Sequence, residues 1–189
     1  MKDVEGIFVT AGAVLEGHFL LASGLHSATY WEKFRVLQFP EHTVPLCTMI
    51  ADRFRESRID VVAGPTTGGV ILAFEVARQL GARAVYAERG DEGGRLFRRG
   101  LTVAAGERVL IVDDLLTTGG SIRDVIAAVT ALGGNVIGIG VLVDRSEADL
   151  DLGTTLFSCL KTSVETHSPE TCPQCAAGVP LVKPGGGTT

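Results

Sequence analysis

Apolar residues along this chain fall into short runs separated by polar and glycine-rich joints. Ile59 to Ala63 is an apolar run of strand length, "GPTTGG" follows as a loop, and Val70 to Leu80 then carries apolar residues at helical spacing until Gly81 ends it. Ala84 to Ala87 is the next short strand. The unit recurs: Val109 to Val112 as a strand, a polar loop, and a helix from Ser121 to Leu132 with Ile122, Val125, Ile126, Val129 and Leu132 on one stripe. Gly133-Gly134 closes that helix, and Val136 to Val143 is a further strand with glycines at 138 and 140. Strands alternating with helices predict an α/β fold, a mostly parallel sheet covered by helices on both faces.

Other segments depart from this rhythm. Val4 to Leu15 reads as a short N-terminal helix. Phe19 to Leu21 and Tyr30 to Leu37 read as short strands around a turn at Ser23-Gly24, and Pro40 opens a helical segment to Arg55 with Val44, Met49, Ile50 and Phe54 on its apolar face. The stretch "ERGDEGGRLFRRG", Glu88 to Gly100, is charged and glycine-rich and reads as a hairpin-like excursion from the sheet. "KPGGGTT" at the C-terminus, residues 183–189, has nothing to bury and is expected to be a flexible tail.

Length and composition bound the answer. The 189 residues suffice for one domain with a sizeable core, and the 46% apolar share is that of an ordinary globular protein. No apolar run approaches the roughly 20 residues of a membrane span, and the charged start, Met1-Lys2-Asp3-Val4-Glu5, lacks a signal-peptide core, so a cytoplasmic protein is expected. A net charge of −5 argues against nonspecific nucleic-acid binding. Cys47 and Cys159 stand in apolar surroundings, as free buried thiols do.

The chemistry concentrates after Val112. Thr117, Thr118, Gly119, Gly120 and Ser121 lie just before a helix, with Ser121 and Asp124 in the spacing of an S-x-x-D cap. Glycines let successive N–H groups turn inward, hydroxyls add donors, and a helix N-terminus favours an anion. That is a phosphate cradle. Asp113 and Asp114 precede it, and two carboxylates cannot ligate a phosphate. A sugar diol fits them, since hydroxyls donate to carboxylates, and a divalent cation is attracted there too. Successive strand residues point to opposite sides, so at most one of the two follows strand geometry into the site unless the chain turns at once. One Asp serving only to cap the loop stays open.

"VLIVDDLLTTGGS" resembles the phosphoribosyl-pyrophosphate (PRPP) motif of type I phosphoribosyltransferases. "GHFLLASGLHSATYW" (Gly17 to Trp31), "VVAGPTTGGVILAFEVARQLG" and "VLVDRSE" (Val141 to Glu147) are similar, in that order, to the hood segment, the pyrophosphate-side loop with its helix, and the arginine-bearing strand end of the orotate phosphoribosyltransferases, in their shorter bacterial type with a CPxC tail. The resemblance implies a single phosphoribosyltransferase domain over 1–189 with a mostly parallel twisted sheet, a hood contributed by 1–37 and a mobile loop at 88–100. It implies transfer of the phosphoribosyl group from PRPP to orotate, with Asp113 and Asp114 on the ribose hydroxyls, Leu115, Leu116 and the Thr117 to Ser121 loop around the 5-phosphate, and Thr117 and Arg145 at orotate. It implies Mg2+ bridging pyrophosphate and ribose oxygens without direct side-chain ligation, and a homodimer whose 88–100 loop carries Arg89 into the neighbouring site.

Several positions depart from that pattern. Ala22 stands where those proteins carry a lysine, the loop Pro65-Thr66-Thr67-Gly68-Gly69 has none, and 88–100 is shortened, so that only Arg89 matches clearly. Arg95, Arg98, Arg99 and Lys33 are the cations available to compensate. A different acceptor base, such as a purine, and a PRPP-binding regulator without turnover are the alternatives, and a phosphoacceptor role for Asp113 leaves the Thr/Gly/Ser loop without a purpose. Arg145 has a second reading as a surface ion pair with Asp144 or Glu147, and His26 reads as a hydrogen-bonded turn histidine. Tyr30 and Trp31 fit either the core or a stack on the base. In "HSPETCPQC", His167, Cys172 and Cys175 can supply three zinc ligands with Cys159 as a distant fourth, against a tight turn with two free thiols.

Overall fold

The computed structural model describes residues 3–21, 23–146 and 148–184. Ala22, Glu147 and the last five residues of the expected tail lie outside the described residues.

The chain opens with helix α1 (Val4–Thr10), capped by the Asp3 carboxylate accepting from the Gly6 N–H, and a two-stranded antiparallel hairpin, β1 (Val14–Leu20) and β2 (His26–Trp31). The segment read as a strand from Tyr30 to Leu37 divides: β2 stops at Trp31, and a single helical turn, α2 (Phe34–Leu37), follows. Phe8 packs on Trp31 with ring centroids 5.1 Å apart, which fixes Trp31 as core. Helix α3 (Pro40–Phe54) begins on Pro40, where the missing N–H costs nothing.

The main sheet is built from β3 (Val61–Pro65), β4 (Arg83–Arg89), β5 (Arg95–Phe97), β6 (Arg108–Leu116), β7 (Asn135–Asp144) and β8 (Leu156–Lys161), with α4 (Gly68–Leu80) after β3 and α5 (Gly120–Ala131) after β6. Its spatial order is β5-β4-β3-β6-β7-β8, parallel except for the antiparallel edge strand β5. The expected excursion at 88–100 is therefore an extension of the sheet, and β8 is a strand the apolar pattern did not announce. A last helical turn, α6 (Pro173–Ala176), begins on the proline of the CPxC.

Two apolar layers flank the sheet. Leu46, Cys47, Ile50, Ala51 and Phe54 of α3 and Leu72, Ala73 and Val76 of α4 pack on one face, and Ile122, Val125 and Val129 of α5 on the other. The glycines of β7 have a packing reason: a Cβ on Gly138 would strike the Phe54 ring and one on Gly140 would strike Ile50, so α3 lies closer to the sheet than any side chain there allows. Among the described residues no helix is long and apolar enough to cross a membrane.

The topology also locates the ligand crevice. β3 runs through α4 to β4 on one side, while β6 lies on the other side of β3. In open α/β sheets such a reversal leaves a crevice beyond the strand ends, flanked by two loops that diverge. Here those loops are residues 66–67 and 117–119.

Candidate active site

Strand β6 carries the acid pair. It continues four residues past the predicted Val112, held by β7 alongside it: Asp113 pairs with Val141, Leu115 with Val143 and Leu116 with Asp144. Both acids thus remain in extended backbone and point to opposite sides. Asp113 lines a small polar concavity together with residues 115–122. Asp114 turns toward the hood and the β3 loop, where its Oδ1 pairs with Lys33 Nζ at 3.0 Å.

Both carboxylates are buried, with 6% and 4% of their surfaces exposed. Burial, and then the charge of Asp114, pushes the Asp113 carboxyl up to about 7, even though its Oδ1 accepts the Asp114 N–H at 2.8 Å. Burial raises Asp114 as well, and Lys33 opposes that rise. Burial alone would lower the Lys33 ammonium, but the adjacent Asp114 outweighs it and holds the ammonium above its ordinary range. Two buried acids thus face one ammonium, leaving residual negative charge for hydroxyl donors or a cation.

Residues 117–121 form the cradle, though not by the cap the spacing suggested. The helix begins at Gly120 with Gly119 at its N-cap, in left-handed backbone (φ 78°), and no side chain caps it. Ser121 lies inside the first turn, and its hydroxyl accepts from Arg95 at 3.4 Å. The first N–H groups of α5 are left for an anion. Arg123 closes the loop from behind by donating to the Thr118 carbonyl at 2.6 Å, a role its position on the polar face of α5 did not reveal.

The opposite wall comes from the β3 loop. Gly64 and Gly69 approach so closely that a Cβ on Gly64 would meet the Gly69 carbonyl, which folds the loop back on itself. A Cβ on Gly68 would collide with the Asp114 carboxylate. We therefore expect Gly68→Ala to push Asp114 away from Lys33, raising the KM for PRPP, the ligand the sequence resemblance implies, by about 10-fold, the equivalent of one charged hydrogen bond. Steady-state kinetics test this, with an unchanged Tm and circular-dichroism spectrum separating displacement from misfolding.

The arginines of 88–100 sort by geometry. Arg98 pairs with Asp91 at 3.1 Å and Arg99 with Glu88 at 2.6 Å, both on the surface, which leaves them out of the site. Arg95 reaches inward, donating to the Thr66 hydroxyl and the Ala87 carbonyl (both 3.2 Å) as well as to Ser121. It thereby bridges the β3 loop and the cradle. Arg89 ends β4, exposed, directly opposite Arg95 in the ladder. Like charges so paired repel unless an anion lies between them. Arg95→Ala should cut kcat/KM for PRPP by about 10–100-fold and weaken pyrophosphate product inhibition in parallel, as loss of a charged contact to an anion predicts; initial-rate kinetics with added pyrophosphate read both.

Arg145 follows β7 and is anchored by its N–H to the Leu116 carbonyl at 2.8 Å. It does not pair with Asp144, which instead accepts from Ser146 and faces Lys161; Glu147 lies outside the described residues. Among the described residues the buried Arg145 Nε has no hydrogen-bond partner, and burial lowers the guanidinium's pKa. Tyr30 stands near enough to Lys33, Arg145 and Asp114 to feel their charges, though burial is what chiefly raises its hydroxyl.

This crevice, with an acid pair at a strand end, an uncapped helix start and converging cations, defines a class. The description "Phosphoribosyl transferase domain" matches residues 46–174, and the chain belongs to the phosphoribosyltransferase family, in its orotate phosphoribosyltransferase branch. The orotate phosphoribosyltransferase of Caldanaerobacter subterraneus subsp. tengcongensis is 49% identical over 184 residues, covering 97% of this chain and 96% of the relative. That of Desulforamulus reducens is 46% identical over 184 residues, with the same coverage. Among solved structures, orotate phosphoribosyltransferase from Aeropyrum pernix superposes with a TM-score of 0.71 at 29% identity, over 84% of this chain and 93% of that one.

Proposed function

We propose that this protein joins orotate to the ribose of PRPP, releasing pyrophosphate and forming orotidine 5-phosphate, and that it works with Mg2+ as a cytoplasmic homodimer. The observation that carries the choice of acceptor is Arg145. Its guanidinium is only partly buried and pairs with no carboxylate among the described residues, which suits the planar carboxylate of orotate that a purine lacks.

In this reading the C1–O bond to pyrophosphate breaks, with the electron pair leaving on oxygen, while orotate N1 gives up its proton to the released pyrophosphate or solvent and supplies the pair for the new bond to C1. Positive charge grows on the ribose ring as pyrophosphate departs. Asp113 and Asp114 hold the 2- and 3-hydroxyls beside that charge, residues 117–121 hold the 5-phosphate, and Arg95 with Arg89 meets the departing anion. Catalysis is then positioning and electrostatic support.

Mg2+ fits the donor chemistry, since a hard cation prefers oxygen ligands and the buried acids retain negative charge after Lys33 is counted. Asp113 and Asp114 would hold it through the sugar hydroxyls they bind. When bound it neutralises pyrophosphate as that group leaves.

The dimer is supported by an apolar groove between α2, α3 and α4, lined by Leu37, Pro40, Val44, Val70, Ile71 and Phe74, with Phe74 67% exposed. None of the four cysteines forms a disulfide, which suits a reducing compartment. Incubating the purified protein with PRPP, orotate and Mg2+ tests the reaction: orotate absorbance should fall in step with pyrophosphate release. No fall overturns the reading.

A further inference from the structure

At the other end of the hood, four side chains with no role in this chemistry converge. His18 of β1, His26 of β2, and Cys172 and Cys175 on either side of the α6 start bring one ligand atom each to within 4.8 Å of all the others. His18, His26 and Cys172 are buried, with 2%, 4% and 3% exposure. The zinc set suggested by spacing is thus half retained. His167 instead pairs its backbone with His26, at 2.8 and 2.9 Å, and turns its ring toward Glu165; Cys159 directs its thiol to the Leu46 carbonyl. His26 lies in a strand, not in the expected turn.

The distances are those of a coordination shell. His18 Nε2 lies 3.0 Å from His26 Nδ1, 3.4 Å from Cys172 Sγ and 3.7 Å from Cys175 Sγ, and His26 Nδ1 lies 3.3 Å from Cys175 Sγ. Zinc bonds of about 2.0 Å to nitrogen and about 2.3 Å to sulfur give a tetrahedron with edges of about 3.3 Å between nitrogens and about 3.5 Å between nitrogen and sulfur. The proton balance agrees. His18 Nδ1 lies 2.8 Å from the Val179 carbonyl, which requires its N–H there and leaves Nε2 as a lone pair facing the cluster. Such a carbonyl partner is the outer support a ligating histidine needs. One shared proton between the rings cannot also satisfy two sulfurs, whereas a divalent cation satisfies all four, and two thiolates make the buried site neutral.

We propose that His18, His26, Cys172 and Cys175 bind one Zn2+ in a closed structural site that staples the C-terminal segment to the N-terminal hairpin. Four protein ligands leave no open position for catalysis, and sulfur with imidazole selects zinc over the magnesium of the crevice. The staple has clear neighbours. Leu20 and Val182 exchange backbone bonds with the opposite segments (Leu20 N–H to Val182 O, 2.9 Å; Val182 N–H to His18 O, 2.8 Å), and Gln174 donates to the Gly17 carbonyl at 2.7 Å. A two-stranded hairpin is marginal by itself. This one ends two residues before Lys33, so the metal also steadies the ammonium that meets Asp114.

The test is metal analysis of the full-length protein, expressed with zinc and purified under reducing conditions. Mass spectrometry should find about one zinc per chain. Exchange with Co2+ should give the intense visible bands of a tetrahedral site with thiolate ligands, a readout from the unmutated protein. Cys175→Ser, at an exposed position, should lower metal content at least about 10-fold, while Cys159→Ser keeps it. Chelation should lower Tm. Protein without stoichiometric zinc and without the cobalt bands overturns the site, as does a Cys172–Cys175 disulfide or full zinc retention in Cys175→Ser. Iron in place of zinc overturns the zinc assignment.

Discussion

Replacing Asp113 and Asp114 together by asparagine is expected to abolish PRPP binding in calorimetry and to lower kcat/KM by at least about 10³-fold, with the fold intact. The magnitude follows from losing two preorganised charges beside a developing cation, each worth about 10²–10³-fold when removed singly. Stability should move the other way for Asp113→Asn alone. The amide keeps the bond from the Asp114 N–H but removes a buried charge. The folded carboxyl titrates near 7 rather than 3.8, so between those values the folded state binds more protons than the unfolded one. Stability therefore falls as pH rises through that window and is lowest above it. Sharing of charge with Asp114 and Lys33 reduces the full effect to roughly 2 kcal/mol, a Tm gain of about 4–8 °C at pH 8 for a chain of this size. At pH 4 the gain should vanish. Calorimetric scans at the two pH values check it, and equal Tm values at pH 8 would remove the burial argument.

The second large effect belongs to Arg145. Arg145→Ala should raise the KM for orotate by about 10–100-fold, the cost of a charge-assisted pair, and leave the PRPP dissociation constant unchanged. Arg145→Lys should recover little, because a point charge does not reproduce a bidentate fork. Added guanidinium should partly restore the alanine variant. Parallel losses for PRPP and orotate would instead mean that Arg145 only supports the Leu116 end of β6, to which its backbone is tied.

The repeating strand–loop–helix pattern was legible because each unit has its own apolar period, and the cradle was legible because its residues are contiguous. What escaped depended on neighbours. β6 runs on through two acids because β7 lies beside it, something an apolar run cannot signal. β8 is half-buried from Leu156 to Leu160, with only Lys161 exposed, and so lacks a strong alternation. The apparent strand at Tyr30 to Leu37 breaks into a helical turn after Glu32, whose carboxylate accepts the Phe34 N–H. Lys33 stood among several candidate cations until the hood brought it to Asp114, eighty-one residues along the chain. Arg98 and Arg99 looked equivalent to Arg95 until Asp91 and Glu88 claimed them. His18 and His26 acquire metal-ligand character only when the C-terminal CPxC folds back across the hairpin.

On the proposed function, one crevice selects orotate as the partner for PRPP. A competition with limiting PRPP, Mg2+ and equal amounts of orotate, uracil, adenine and hypoxanthine measures it most directly. Orotidine 5-phosphate as the dominant nucleotide, with its share collapsing in Arg145→Ala, is the predicted result; a purine nucleotide as the main product of the unmutated protein would contradict it.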